Sequence, residues 1–115
     1  MIYKECIDKC FDCVKACDRC SEEGGKTSKE CRESHDMLTV CAEVCALVGR
    51  LTAKGICCGD IYDLCAKICD ECAQKCNKID HAYAKDCADA AKKCAEACRK
   101  CSMDCCNEKK ERKVC

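Results

Sequence analysis

The sequence predicts an all-α protein, an antiparallel up-down-up-down four-helix bundle with a cysteine-lined core. Three observations carry this expectation. Cysteines recur at alternating steps of three and four residues, the period of an inward helix seam. Four helical runs of roughly 17 to 27 residues are joined by short loops. Gly24-Gly25, Gly55 and Gly59 fall where the first two chain reversals are needed.

The first helix is expected at about 2–22, carrying Cys6, Cys10, Cys13, Cys17 and Cys20 and stopped by Gly24-Gly25. The second spans about 28–53, with Thr27 and Glu30 in capping-box spacing at its start and Gly55 closing it at C′. Its seam is mixed: Cys31, His35, Leu38, Cys41, Cys45 and Val48. Asp60 is the expected N-cap of the third helix, about 60–77, which bears Cys65, Cys69, Cys72 and Cys76, with Cys58 seven residues before Cys65. Asp80 is expected to cap the fourth, about 81–107, with Cys87, Cys94, Cys98, Cys101 and Cys105; Ala90 or Ala91 fills the one gap. A charged tail, 108–115, is expected to fray. Short loops between long helices make neighbours antiparallel, and 115 residues form one domain, 1–115.

Each helix also carries an apolar or small-residue stripe beside its thiols. These are Tyr3, Ile7, Phe11 and Val14; Val40, Val44, Leu47 and Leu51; Ile61, Leu64 and Ile68; and Ala84, Ala88, Ala91 and Ala95. Packing within the bundle is their expected use, ahead of a subunit interface. With these stripes and caps, the metal-free chain is expected to be helical already.

Lys and Arg total 21 and Asp and Glu total 21, a balance that argues against nucleic acid or an anionic membrane as partner. No stretch has transmembrane length, and the N-terminus lacks an apolar export core. A cytoplasmic, reduced protein is expected.

That matters because 21 of the residues are cysteine. Cysteine-dense short chains are commonly secreted disulfide scaffolds. Here the count is odd, and thiols three or four apart on a helix have Cβ atoms ~5–6 Å apart, beyond the ~3.8 Å of a disulfide. A core of thiols also forfeits apolar burial worth ~25 cal/mol per Å², so a chemical use is expected. With metal–sulfur bonds of ~2.3 Å, sulfurs on opposite sides of one ion lie ~4.6 Å apart, within reach of Cys-x-x-x-Cys pairs on one face. Seven such pairs occur, starting at Cys6, Cys13, Cys41, Cys65, Cys72, Cys94 and Cys101.

Charge chooses among metals. A monovalent Cu(I) neutralises one thiolate each, so a nearly one-to-one array is neutral in a low-dielectric interior, whereas zinc in four thiolates leaves two negative charges. Cu(I) also prefers soft thiolate ligands. Metallothionein-like zinc or cadmium binding is the competing function, although no Cys-x-Cys step occurs. Iron–sulfur ligation lacks its spacing. No catalytic triad, phosphate loop or carboxylate pair is present, so no enzyme activity is expected.

The opening CIDKCFDCVKACDRC, CAEVC, CAKICDECAQKC and CAEACRKCSMDCC resemble the bacterial four-helix-bundle copper storage proteins of the cytosolic type. The resemblance implies storage of many Cu(I) ions per chain and assembly into a homotetramer; it leaves the copper donor and acceptor open. His35 and His81 are expected at the bundle end shared by Cys20, Cys31, Cys76 and Cys87, as a mouth for copper, with the end near Cys6, Cys45, Cys58 and Cys105 as its competitor. A solvated or capping histidine is the plainer use. Met37 is read as core filler and Met103 as outward. Cys57, Cys106 and Cys115 fall off the seam, and weak metal binding, oxidative pairing in air or no role at all stay open for them.

Overall fold

The computed structural model describes residues 2–108, and side chains from Tyr3 to Cys105. The expected tail beyond Glu108, with Cys115, and the side chain of Cys106 fall outside that range. The described residues form α1 (Ile2–Glu22), a 3-10 turn (Gly24–Lys26), α2 (Lys29–Glu33), α3 (His35–Ala53), α4 (Gly59–Asn77) and α5 (Ala82–Glu108). The four long helices, α1, α3, α4 and α5, make the antiparallel bundle, and α2 is a single extra turn or so at one end.

The predicted second helix is therefore interrupted. Ser34 sits at φ −91°, ψ 6°, outside the helical well, and its N–H is shared between the carbonyls of Glu30 and Cys31 at 3.1 and 3.2 Å. Such three-centre bonds belong to helix termini. The first residue of α3, His35, is tied through Nδ1 to Ser21 Oγ at 2.6 Å, which fixes where α3 starts against the end of α1. Two expected caps also move. Ser28, not Thr27, caps α2, its Oγ accepting from the Cys31 N–H at 3.2 Å. The α4 N-cap is Cys58, with Asp60 inside the first turn.

At α5 the cap is His81 rather than Asp80. The His81 carbonyl accepts from Lys85 N–H at 3.0 Å, and its ring Nδ1 accepts from Tyr83 N–H at 3.1 Å. The α3 stop follows expectation: Gly55 takes φ 79°, Gly55 N–H bonds Thr52 O at 3.0 Å and Ile56 N–H bonds Leu51 O at 3.0 Å. That is a Schellman closure, which needs the left-handed conformation glycine adopts freely.

The alanine stripe of α5 is buried as expected, with Ala84, Ala91 and Ala95 at 0 % exposure and Ala88 at 8 %. Small side chains there draw α4 and α5 together, and Ser102 Oγ donates to Asp63 across them at 2.7 Å. Arg99 also pairs with Asp70 between the same helices. In contrast α3 and α4 touch least among neighbouring long helices. The stripe facing outward there is not covered within the bundle: Val40 is 51 %, Leu47 43 % and Leu64 50 % exposed. Intramolecular packing thus uses the α5 stripe and only part of the others. Met37 packs against the core, and Met103 faces outward, as anticipated. No helix among the described residues is long and apolar enough to cross a membrane.

Candidate metal centre

The core is a file of sulfur. Every seam cysteine from Cys6 to Cys105 has 0 % exposure except Cys58 at 6 %, and among the described residues only Leu38 and Val48 are larger apolar side chains buried below 2 %. The seam gap in α5 is filled by Ala91, also fully buried, while Ala90 is half-buried. Thus the alternating three-and-four step placed the thiols inward on all four long helices.

Across the middle of the bundle the sulfurs meet in groups. Cys13 of α1, Cys45 of α3, Cys69 of α4 and Cys94 of α5 bring one thiol from each long helix to a common point, all within 4.8 Å of one another. Cys45 Sγ lies 3.4 Å from Cys69, 3.8 Å from Cys94 and 3.9 Å from Cys65. A second set of four joins Cys10, Cys65, Cys94 and Cys98. Toward the histidine end, Cys13, Cys17 and Cys41 form a set of three, and Cys17, Cys72 and Cys87 another. Cys17 Sγ is 3.6 Å from Cys87, and Cys72 Sγ is 3.9 Å from Cys87.

These spacings suit metal. Three sulfurs around one ion with bonds of ~2.3 Å lie ~4.0 Å apart, and four lie slightly closer. The groups are not isolated pockets, because Cys13, Cys17 and Cys94 each belong to two of them. A thiolate in that position bridges neighbouring ions, so the sets make one continuous array.

The thiol protons are unevenly held. Cys41 is pushed well down by hydrogen bonds from Cys13 first, then Cys17, Cys45 and Cys69, while Cys65 is lowered by Cys10, Cys45, Cys69 and Cys94. Hydrogen bonds from Cys17 bring Cys13 to about 2, and those from Cys10 and Cys6 bring Cys98 to about 6. Most of their partners move the other way. Cys94 and Cys17 are raised far above the ordinary thiol range by donating to these neighbours and by burial. Cys76 is raised to about 12, chiefly through Cys72. A metal-free core of this kind shares its protons over the array, since a buried thiolate needs several S–H donors around it.

At the bundle ends the expected ligands separate. Cys20 and Cys31 pair at 3.8 Å, and Cys76 lies 4.0 Å from Cys72. Both histidines are at this end, but not in equivalent places. His35 is exposed with its ring turned to Ser21, so it is not a seam residue. The break at Ser34 resets the helical phase between Cys31 and His35. His81 is half-buried, capping α5 with one nitrogen and meeting Thr27 Oγ1 at 3.0 Å with the other. Gly24 sits between it and Cys31: a Cβ there would stand 3.1 Å from Cys31 Sγ and 3.6 Å from His81 Cε1.

At the opposite end, Cys6 is 4.0 Å from Cys10 and interacts electrostatically with Cys101. Cys45, expected there, lies in the middle instead. Cys58 is buried in its capping position outside the thiol groups. Cys105, expected as a ligand, is joined in a disulfide to Cys57, with Cα atoms 5.9 Å apart. Helical neighbours are too far apart to bond in this way, but a loop residue and a helix end 48 positions apart are free to meet. Tyr62 was also missed. Its position, three before Cys65 and four after Cys58, continues the seam, and its phenol is 2 % exposed with the hydroxyl 2.7 Å from Thr52 Oγ1. Burial raises its pKa, and Cys101 and Cys6 are its sulfur neighbours.

A four-helix bundle whose interior is one connected array of thiols, drawn from every long helix, is a container for soft metal ions. The chain belongs to the copper storage protein family, whose sequence profile matches residues 2–112. Its fold is similar to that of the Cu(I)-bound copper storage protein BsCsp3, with a TM-score of 0.80, 31 % identity and coverage of 89 % of this chain and 99 % of that one. It is similar also to apo copper storage protein 3 from Bacillus subtilis (TM-score 0.75, 33 % identity, 86 % and 97 % covered). A Nitrosospira multiformis protein matches with TM-score 0.78, 25 % identity and 89 % and 95 % covered. Among curated protein sequences none matches significantly. Family membership and the clustered core thiols together identify the function as copper storage, with multiple Cu(I) ions as cargo.

Proposed function

We propose that the chain, as one domain over residues 1–115, holds Cu(I) at about one ion per core thiolate, the ratio that leaves a low-dielectric interior neutral. The single observation that carries this reading is the sharing of Cys13, Cys17 and Cys94 between sulfur groups. Separate four-thiolate sites would not need shared members. The ligands proposed are Cys6, Cys10, Cys13, Cys17, Cys20, Cys31, Cys41, Cys45, Cys65, Cys69, Cys72, Cys76, Cys87, Cys94, Cys98 and Cys101, the sixteen buried cysteines outside the disulfide. Cys58 and Cys105, both disulfide-bonded here, complete the set at the far end once reduced, and His81 rather than His35 is the histidine proposed to meet an ion beside Cys31.

The role is one of sequestration, with no catalytic step, in a reducing cytoplasm where thiols stay available. Assembly into a homotetramer is supported by the exposed Val40, Leu47 and Leu64, which give α3 and α4 an apolar face that the chain itself leaves uncovered. Zinc storage is the second reading, favoured by the two groups of four thiols at tetrahedral spacing. Anaerobic titration of the reduced protein against a competing Cu(I) chelator decides. Uptake on the order of one ion per thiol is expected. Saturation after one or two ions refutes storage, and tight zinc binding at about one ion per three or four thiols supports the second reading.

A further inference from the structure

We infer that Cys57 and Cys105 form a redox-gated thiol pair that passes Cu(I) between solvent and the core at the end away from the histidines; this rests on the storage reading. Among the described cysteines Cys57 alone is partly exposed, every other being buried. It opens onto a cavity of about 460 Å³ whose walls include Tyr3, Ile7, Thr52, Ile56 and Tyr62. Its partner Cys105 is fully buried, one helical turn beyond Cys101 on the same face of α5. Cys101 interacts electrostatically with Cys6 across the bundle, and Cys6 lies 4.0 Å from Cys10, the first member of the thiol array. A line of sulfur therefore runs from the cavity to the core: Cys57, Cys105, Cys101, Cys6, Cys10. Tyr62 also lines the cavity, and Cys101 and Cys6 are its sulfur neighbours on the core side.

In the disulfide state the first two sulfurs have no lone thiolate to offer a metal, and the bond ties the α3–α4 loop to the end of α5. A cellular dithiol or small thiol reverses this. Its thiolate attacks the accessible Cys57 sulfur, the S–S bond breaks, and Cys105 departs as a thiolate that takes up a proton. A second reductant thiolate then releases Cys57, leaving two protein thiols and one disulfide on the reductant. Copper follows by ligand exchange without electron transfer. The two cysteines give their protons to the donor's departing thiolates and bind the ion, which stays Cu(I) throughout. Bonds of ~2.3 Å put the two sulfurs ~4.6 Å apart across one ion, a separation that side-chain rotation supplies from Cα atoms 5.9 Å apart.

The test compares three full-length apo proteins, each filled anaerobically from a coloured Cu(I)–bicinchoninate complex: the fully reduced chain, the chain carrying only this disulfide, and reduced Cys57→Ser. Peptide mapping identifies the bond. The reduced chain is expected to fill several-fold faster than the disulfide form, and C57S to fill slowly whatever the redox state, with circular dichroism confirming its fold. Equal rates for the reduced and disulfide forms, C57S filling as fast as the reduced chain, or no Cys57–Cys105 peptide in air-exposed protein would each overturn the proposal. Total copper bound is read from the same traces; a low capacity in all three forms refutes storage itself and is distinct from a failure of the gate.

Discussion

Filling the core with Cu(I) at neutral pH, with the disulfide left in place, should expel protons, and the structure sets how many. Each thiol that holds its proton must lose it when a copper–sulfur bond forms. Of the sixteen buried cysteines outside the disulfide, nine are raised above the ordinary thiol value: Cys10, Cys17, Cys20, Cys45, Cys69, Cys72, Cys76, Cys94 and Cys101. A raised group keeps its proton in the folded apo state until metal displaces it, so nine protons is the floor. The ceiling is sixteen, because ionising even the lowered Cys13, Cys41, Cys65 and Cys98 would leave thiolates in a core with no cation, a cost that burial opposes and that keeps protons on them. With one ion per thiolate, loading therefore releases between about one proton per two ions and one per ion. Zinc held by four thiolates would release several protons per ion instead. The assay is an anaerobic titration with acetonitrile-stabilised Cu(I) in weak buffer, read by a pH indicator and calibrated with acid. Fewer than nine protons over complete filling would mean that the core is ionised before metal arrives, and would refute the account of proton sharing.

The remaining expectations concern the mouth and the loop. Replacing His35 and His81 together by Phe should slow Cu(I) uptake with capacity nearly unchanged, and His81→Phe alone should account for most of the effect. The measurement belongs on the form with the Cys57–Cys105 disulfide intact, where the histidine end carries the traffic; normal rates there would remove His81 from the path. Gly55→Ala should lower apo stability by about 1–2 kcal/mol, since an L side chain is strained at its φ of 79°. Thermal unfolding by circular dichroism would show it as a melting temperature lower by about 4–8 °C per kcal/mol, and an unchanged value would contradict the Schellman closure.

Much of the centre was legible because its signal is periodic. A thiol every three or four residues stays on one helix face however the helices are arranged, so the inward sulfur seams followed from spacing alone. Gly55 was legible for a similar reason, its left-handed φ being a local requirement. What the sequence hid was set by partners from elsewhere in the chain. The interruption at Ser34 goes with the bond between His35 and Ser21, and the capping of α5 by His81 with the contact to Thr27. The link between Cys57 and Cys105 joins positions 48 apart, with no periodic relation between them. Tyr62 obeyed the seam spacing but was passed over because it is not a cysteine. The exposed Val40, Leu47 and Leu64 show the reverse failure: a helical apolar stripe is visible in sequence, but whether a neighbour covers it is not.

The scarcity of large hydrocarbon in the core reaches beyond metal binding. With Leu38 and Val48 the only bulky aliphatic side chains fully buried among the described residues, the empty protein rests on contacts between small polarisable atoms, and each ion adds bonds that exist in the native state alone. Cargo that binds the native state and not the opened chain stabilises it by mass action, and proteases act on the fraction of time a chain spends open. Empty copies are thus removed first and laden ones persist. Turnover itself becomes a reader of copper content, keeping stored metal in long-lived molecules without any dedicated sensor.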